Sequence, residues 1–243
     1  NLTVCAGDNA TFTVTATGGD LSYEWRRNGV AVPGGNSATL TLISVTPAMA
    51  GNYTVYVSNN CGNILSAAAV LTVNTIPVIT DEPDSRSACQ GDDITFSVTA
   101  TGGDLTYAWR HDGTIVGTNA PALALNDVTT VMEGNYTVTI SNTCGTVTSV
   151  PVSLVVNNTP VIITDPVDVT VCEGDIALFS VDATGLNLTY QWLRNGSPLT
   201  DENAGTLSIN AVTPANAGIY TVIVTNECGI VTSAGAELIV NTA

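Results

Sequence analysis

The sequence predicts an all-β chain of three tandem sandwich domains, and three observations carry that prediction. Cysteines recur at Cys5, Cys89 and Cys172 and again at Cys61, Cys144 and Cys228, with Trp25, Trp109 and Trp192 between them. The spacing from Cys5 to Cys89 is 84 residues and from Cys89 to Cys172 it is 83, so one unit is repeated three times. Runs that alternate apolar residues with threonine are broken by Gly, Asn, Asp and Pro clusters every eight to twelve residues or about that, the pattern of half-buried strands joined by tight turns. No stretch keeps helical periodicity.

Within the first copy, residues 10–16 place Phe12 and Val14 on one face and threonines on the other. Residues 21–25 follow as the next strand with Leu21, Tyr23 and Trp25 inward, and residues 26–29 turn the chain. Residues 39–42 and 51–57 continue the alternation, residues 59–62 make the last tight turn, and residues 69–73 close the unit. Pro77 and Pro160 start a leading strand in the second and third copies, and Pro83 and Pro166 mark its kink, where a missing N–H is tolerated. The expected domains are 1–74, which lacks that leading segment, 75–157 and 158–243. Linkers of two or three residues imply restricted hinges and an extended array.

Domains of this size bury limited apolar surface and are commonly stapled. All six cysteines occupy repeat-equivalent places, which reads as disulfides in an oxidising, extracellular setting. The formal charge is −16, and the basic residues are Arg26, Arg27, Arg86, Arg110 and Arg194 with no lysine, so nucleic acid and anionic membrane are excluded as partners. Without lysine, no Lys–Asn isopeptide cross-link can form either. No apolar run approaches the roughly 18 residues of a membrane helix. The chain starts part way through a repeat, so a longer or processed protein is expected.

Tryptophans in the contexts Trp25, Trp109 and Trp192, and Gly-x-Tyr corners at Tyr53, Tyr136 and Tyr220, resemble I-set-like immunoglobulin domains over essentially the whole chain. The recurrent Val-Cys-x-Gly-Asp and Asn-x-Cys-Gly signatures further resemble tandem repeats of Bacteroidetes-type cell-surface or secreted proteins. Where the family places its inter-sheet disulfide, this chain has the pairs Val14 and Val55, Val98 and Val138, Val181 and Val222. The resemblance puts Cys5 and Cys61 at opposite ends of one sandwich, the eight residues from Tyr53 to Cys61 alone spanning roughly 26 Å, whereas a bridge needs Cα atoms within about 7 Å. It therefore implies interdomain pairs Cys5–Cys144 and Cys89–Cys228, with Cys61 and Cys172 facing neighbouring domains or subunits. Pairing inside each copy, closing loops of about 57 residues, and free thiols stay open as alternatives.

Catalytic chemistry finds little purchase. His111, the sole histidine, lies in a turn beside Arg110 and Asp112, with Arg27 and Asn195 read as its counterparts; it is expected to be an exposed turn residue. No nucleophile or phosphate-loop motif is present. Asp81 with Glu82 and Asp84, Asp92 with Asp93, Asp165 with Asp168, and Glu173 with Asp175 are candidate Ca²⁺ ligands, Asp81 and Asp165 being read as repeat-equivalent. Solvated acid is the preferred reading, so no cofactor is expected. The functional expectation is a non-enzymatic, secreted or cell-surface structural protein, a segment of a stalk, adhesin or filament, built on the six cysteines. The alternatives are a module that binds a glycan or host protein through its variable turns, or an accessory module of a larger secreted enzyme.

Overall fold

A computed structural model describes residues 1–242. The first repeat contains β1 (Leu2–Cys5), β2 (Ala10–Thr13), β3 (Ser22–Arg27), β4 (Val30–Ala31), β5 (Thr39–Leu42), β6 (Gly51–Asn59), β7 (Gly62–Leu65) and β8 (Ala69–Asn74). The second contains β9 (Val78–Asp81), β10 (Arg86–Cys89), β11 (Ile94–Ser97), β12 (Thr99–Thr101), β13 (Thr106–His111), β14 (Thr114–Val116), β15 (Ala122–Leu125), β16 (Gly134–Asn142), β17 (Gly145–Thr148) and β18 (Val152–Asn157). The third repeats that order as β19 (Val161–Thr164), β20 (Val169–Cys172), β21 (Ala177–Ser180), β22 (Asp182–Thr184), β23 (Thr189–Arg194), β24 (Ser197–Pro198), β25 (Thr206–Ile209), β26 (Gly218–Asn226), β27 (Gly229–Thr232) and β28 (Ala236–Asn241).

In the first repeat one layer runs β1-β8-β6-β3-β4 with β7 on β6, and the other is the pair β2-β5. The third repeat has the same layer as β20-β28-β26-β23-β24 with β27 on β26, the pair β21-β25, and an added pair β19-β22. The strand that carries the first cysteine runs parallel to the last strand of its own repeat in all three copies. The chain divides into two compact units, Asn1–Asp84 with Phe96–Leu123 and Tyr136–Val152, and Ser85–Thr95 with Ala124–Asn135 and the residues from Ser153 onward. The second repeat is thus shared between the two.

The cores follow from the alternation. On β3, Trp25 is buried and pairs across the ladder with buried Val55; Trp192 pairs in the same way with Val222. Val14 and Val181 join these clusters, so valine fills the space where the family places a bridge and leaves no polar group to satisfy. Phe12 stacks on Tyr53 with centroids 4.9 Å apart, and Phe179 on Tyr220 at 4.8 Å. A single 3₁₀ turn ahead of β6 and β26 brings a carbonyl to each tyrosine: Tyr53 Oη donates to Met49 O at 2.8 Å and Tyr220 Oη to Asn216 O at 2.7 Å. The β3–β4 hairpin turns on Asn28 (φ 50°) and Gly29 (φ 83°), two consecutive left-handed residues that match the twist of the flanking strands.

Two sequence assignments are corrected by the register. His111 stands opposite Tyr136 as Arg27 stands opposite Tyr53 and Arg194 opposite Tyr220, so the counterpart of His111 is Arg194 and not Asn195. Asp81 pairs with Thr99 while Thr164 pairs with Asp182 at the same rung, so Asp81 corresponds to Thr164 and the partner of Asp165 is Glu82. The same equivalence follows from counting between the prolines, Pro77 to Pro83 and Pro160 to Pro166, which are the same distance apart.

Candidate functional site: the disulfide joints

Each joint is assembled from two turns. The first begins at the end of the leading parallel strand, where Cys5, Cys89 and Cys172 each start a Cys-x-Gly-Asp turn. The aspartate N–H returns to the cysteine carbonyl at 3.0 Å in the first two copies and 3.1 Å in the third. The aspartate carboxylate in turn accepts the cysteine N–H, from Cys5 to Asp8 at 3.1 Å, Cys89 to Asp92 at 2.8 Å and Cys172 to Asp175 at 3.2 Å. Glycine fits the third place because the backbone there is left-handed, with φ 94° at Gly7 and 92° at Gly91 and Gly174. The residue after each cysteine is tied to the last strand of its own repeat, Ala6 N to Asn74 O and Gln90 N to Asn157 O, both at 2.8 Å.

The second turn follows the long strand. Asn59, Asn142 and Asn226 each accept, through Oδ1, the N–H of the cysteine two residues on, at 2.9 Å in every copy. In the second and third repeats the same side chain also reaches the chain that enters the repeat: Asn142 Nδ2 donates to Thr75 O and Asn226 Nδ2 to Asn158 O, both at 2.8 Å. A single amide thereby ties a cysteine-bearing turn to the linker beside it.

The bridges close across these turns. Cys5 is joined to Cys144 and Cys89 to Cys228, with Cα atoms 5.5 and 5.4 Å apart and a sequence separation of 139 residues in both. Each bridge lies within one of the two compact units. Cys61 and Cys172 are free and exposed. Around the second bridge, Asn157 is buried and donates to Ser87 Oγ at 3.0 Å and to the Glu227 carboxylate, which also accepts from Ser87. Around the first, Asn74 donates to Asp104 at 3.4 Å.

The three tryptophans and three corner tyrosines lie in the sandwich cores, not at the joints. Burial raises the phenols of Tyr53, Tyr136 and Tyr220 above the usual tyrosine range; nearby Arg27 and Arg194 pull the first and third partly back, and the Asp112 charge pushes Tyr136 further up. His111 ends β13, partly buried and stacked on Tyr136 at 4.7 Å with Asp112 3.4 Å away, so it is not the exposed turn residue the sequence suggested.

Among the described residues no three of His, Cys, Asp and Glu gather as metal ligands. Several acids singled out for calcium accept backbone N–H groups: Glu82 from Val150, Asp165 from Ala234 and Asp168 from Glu237. No helix among the described residues is long and apolar enough to cross a membrane. Asp8, Asp92 and Asp175, and Asn59, Asn142 and Asn226, stand in the cysteine signatures of the sequence, with Asp92 and Asp175 read there as candidate calcium ligands; their bonds to the cysteine backbone were not foreseen. Their recurrence beside the cysteines at fixed offsets was the available signal.

Comparison with known proteins places this architecture. An immunoglobulin domain family model matches residues 1–59 and 159–226, together just over half the chain, and a PKD-like domain model matches residues 74–154. Neuroglian of Drosophila melanogaster is 28% identical over 206 residues, covering 78% of this chain and 16% of that protein. Protein turtle homolog B of Mus musculus is 30% identical over 190 residues, covering 70% of this chain and 14% of that protein. The chain thus spans less than a fifth of these animal relatives. Among solved structures, the titin fragment I67–I69 superposes with a TM-score of 0.67 at 23% identity, over 99% of this chain and 95% of that one. Sidekick-1 immunoglobulin domains 1–4 superpose at 0.57 and 21% identity, over 98% and 73%. These likenesses show the fold, three immunoglobulin-like sandwiches in tandem, and with the family match they establish that this chain belongs to the immunoglobulin-domain family.

Proposed function

We propose that this chain is a segment of a non-enzymatic extracellular structural protein, a surface stalk, adhesin or filament in which disulfides lock the joints between successive immunoglobulin-like domains. The observation that carries this reading is the pairing itself, since each bridge joins the first cysteine of one repeat to the second cysteine of the next. A chain of independent domains has no use for such a link. Cys61 and Cys172 then serve the same purpose toward a preceding and a following domain or subunit, being the second cysteine of the first repeat and the first cysteine of the last. The bacterial cell-surface setting suggested by the repeated cysteine signatures belongs to the same proposal.

Tryptic mapping of alkylated, unreduced protein tests it. The five arginines define the fragments 1–26, Arg27 alone, 28–86, 87–110, 111–194 and 195–243. Locked joints give 1–26 bound to 111–194 and 87–110 bound to 195–243, with 28–86 attached to neither. Recovery of 1–26 bound to 28–86 would overturn the proposal.

A further inference from the structure

In the first repeat the two layers stand open along one side. The edge strand β4 ends one layer and β5 belongs to the other. A cleft of about 230 Å³ lies there, lined by Val32 just after β4, Leu42 of β5, Met49 of the 3₁₀ turn, and Tyr53. Val32, Leu42 and Met49 are half-buried and pack against the core cluster that holds Tyr53. Arg27 supplies the charge of the cleft, and among the described residues no acid lines it.

The ladder places that arginine. Arg27 stands opposite Tyr53, its Nη1 donates to Ala48 O at 2.5 Å, and its guanidinium also donates to the Tyr53 phenol. A guanidinium has more N–H groups than these bonds use, and the bonds hold its plane. An arginine fixed beside an apolar cleft offers a carboxylate two parallel N–H bonds without having to be ordered first. The other repeats alter one part each. In the second, His111 stands in the place of Arg27 and stacks on Tyr136 at 4.7 Å, so the fork is lost. In the third, Arg194 is kept and its Nη1 donates to Ala215 O at 2.8 Å, but the cleft is about 420 Å³, Glu202 lines it and Asn216 replaces Met49. An acid in the wall disfavours an anion, and a polar floor disfavours an apolar body.

We infer that the cleft of the first repeat binds a small monocarboxylate with an apolar body, the carboxylate forked on Arg27 and the body against Val32, Leu42 and Met49. Apolar walls with one convergent charged group select a molecule with a single polar end. That end is anionic because the group is an arginine, one of five basic residues in a chain of net charge −16. The ligand carries one charge, since the field of so many carboxylates repels a polyanion. It is small, since the cleft falls below the roughly 300–1,000 Å³ of sites for drug-sized molecules. The site lies within one repeat and uses neither bridge, so it goes beyond the array reading and stands apart from it.

Benzoate is the probe, with benzamide as its uncharged counterpart of nearly the same shape, each titrated to millimolar concentration into the whole chain while the methyl resonances of Val32, Leu42 and Met49 are followed. Benzoate should move all three saturably. Benzamide should bind about tenfold more weakly or less still, because the charge-assisted fork is gone. Arg27→Gln should weaken benzoate by a similar factor, and Arg194→Gln should leave it unchanged. The comparison of benzoate with benzamide needs no substitution, so it decides the matter even where Arg27→Gln loosens the corner at Tyr53. No saturable movement of these methyls, equal affinity for benzoate and benzamide, or a loss in Arg194→Gln as large as in Arg27→Gln would overturn the inference.

Discussion

One carboxylate in each Cys-x-Gly-Asp turn holds the cysteine backbone in place for bridging. Replacing Asp92 by alanine removes the acceptor of the Cys89 N–H, a charge-assisted bond of about 1–2 kcal/mol. We expect the Cys89–Cys228 bridge of Asp92→Ala to reduce roughly tenfold more readily in a thiol-buffered titration. Asp92→Asn, which keeps an acceptor oxygen, should stay close to the parent. The corner tyrosines report on the cores. Burial raises all three phenols above the usual value near 10. Above that pH the unfolded chain has lost phenolic protons that the folded chain retains, so stability is fully present below about pH 10 and falls as pH rises toward the folded-state values. Denaturant titrations between neutral and strongly alkaline pH should show that loss. In Tyr220→Phe it should shrink, against a cost of about 1 kcal/mol at neutral pH for the missing bond to Asn216.

At the level of the element, the long strand and its following turn are the same object three times in two surroundings. Gly145 and Gly62 share backbone geometry, with φ 157° and 152°, but only Gly145 faces an incoming linker. Alanine at either position carries the same backbone penalty; at Gly145 it adds a clash with the side chain of exposed Ile76, at the low end of overpacking costs, about 1 kcal/mol. Denaturant midpoints of Gly145→Ala and Gly62→Ala should differ by that amount, and equal midpoints would show that the linker contact has no weight. Most of this element was legible in the sequence, because period-2 alternation from Tyr53 to Val57 and the Asn-x-Cys-Gly turn recur at one spacing. The second role of Asn142 and Asn226 was not, since an asparagine at the head of an Asn-x-Cys-Gly turn reads as a turn residue whatever its amide nitrogen reaches. The equivalence of Glu82 and Asp165 was legible by counting from Pro77 and Pro160, but a Thr-Asp pair stands one place later in the third repeat, at Thr164-Asp165 against Thr80-Asp81, and matching by residue type gave the wrong partner.

For the whole molecule, connectivity matters beyond the strength of either bridge. The loops from Cys5 to Cys144 and from Cys89 to Cys228 overlap, and residues 89–144 belong to both. By the chain-entropy argument each loop of this length restrains the unfolded chain by about 5 kcal/mol, a ceiling for the second because the shared segment is already confined by the first. Overlap has a further consequence that independent loops would lack. Any one backbone cut between Cys5 and Cys228 leaves both pieces joined by at least one bridge: a cut before Cys89 is spanned by Cys5–Cys144, one after Cys144 by Cys89–Cys228, and one between them by both. If each repeat closed its own loop, a cut in either linker would part the chain. Limited trypsin cleavage after exposed Arg86, which lies between Cys61 and Cys89, separates these cases. The nicked protein should migrate as one species in denaturing, non-reducing electrophoresis and split into residues 1–86 and 87–243 only on reduction. Separation without reductant would show that the chain is held at its joints by packing alone. Retention would mean that a protease must cut an array of such repeats more than once to sever it.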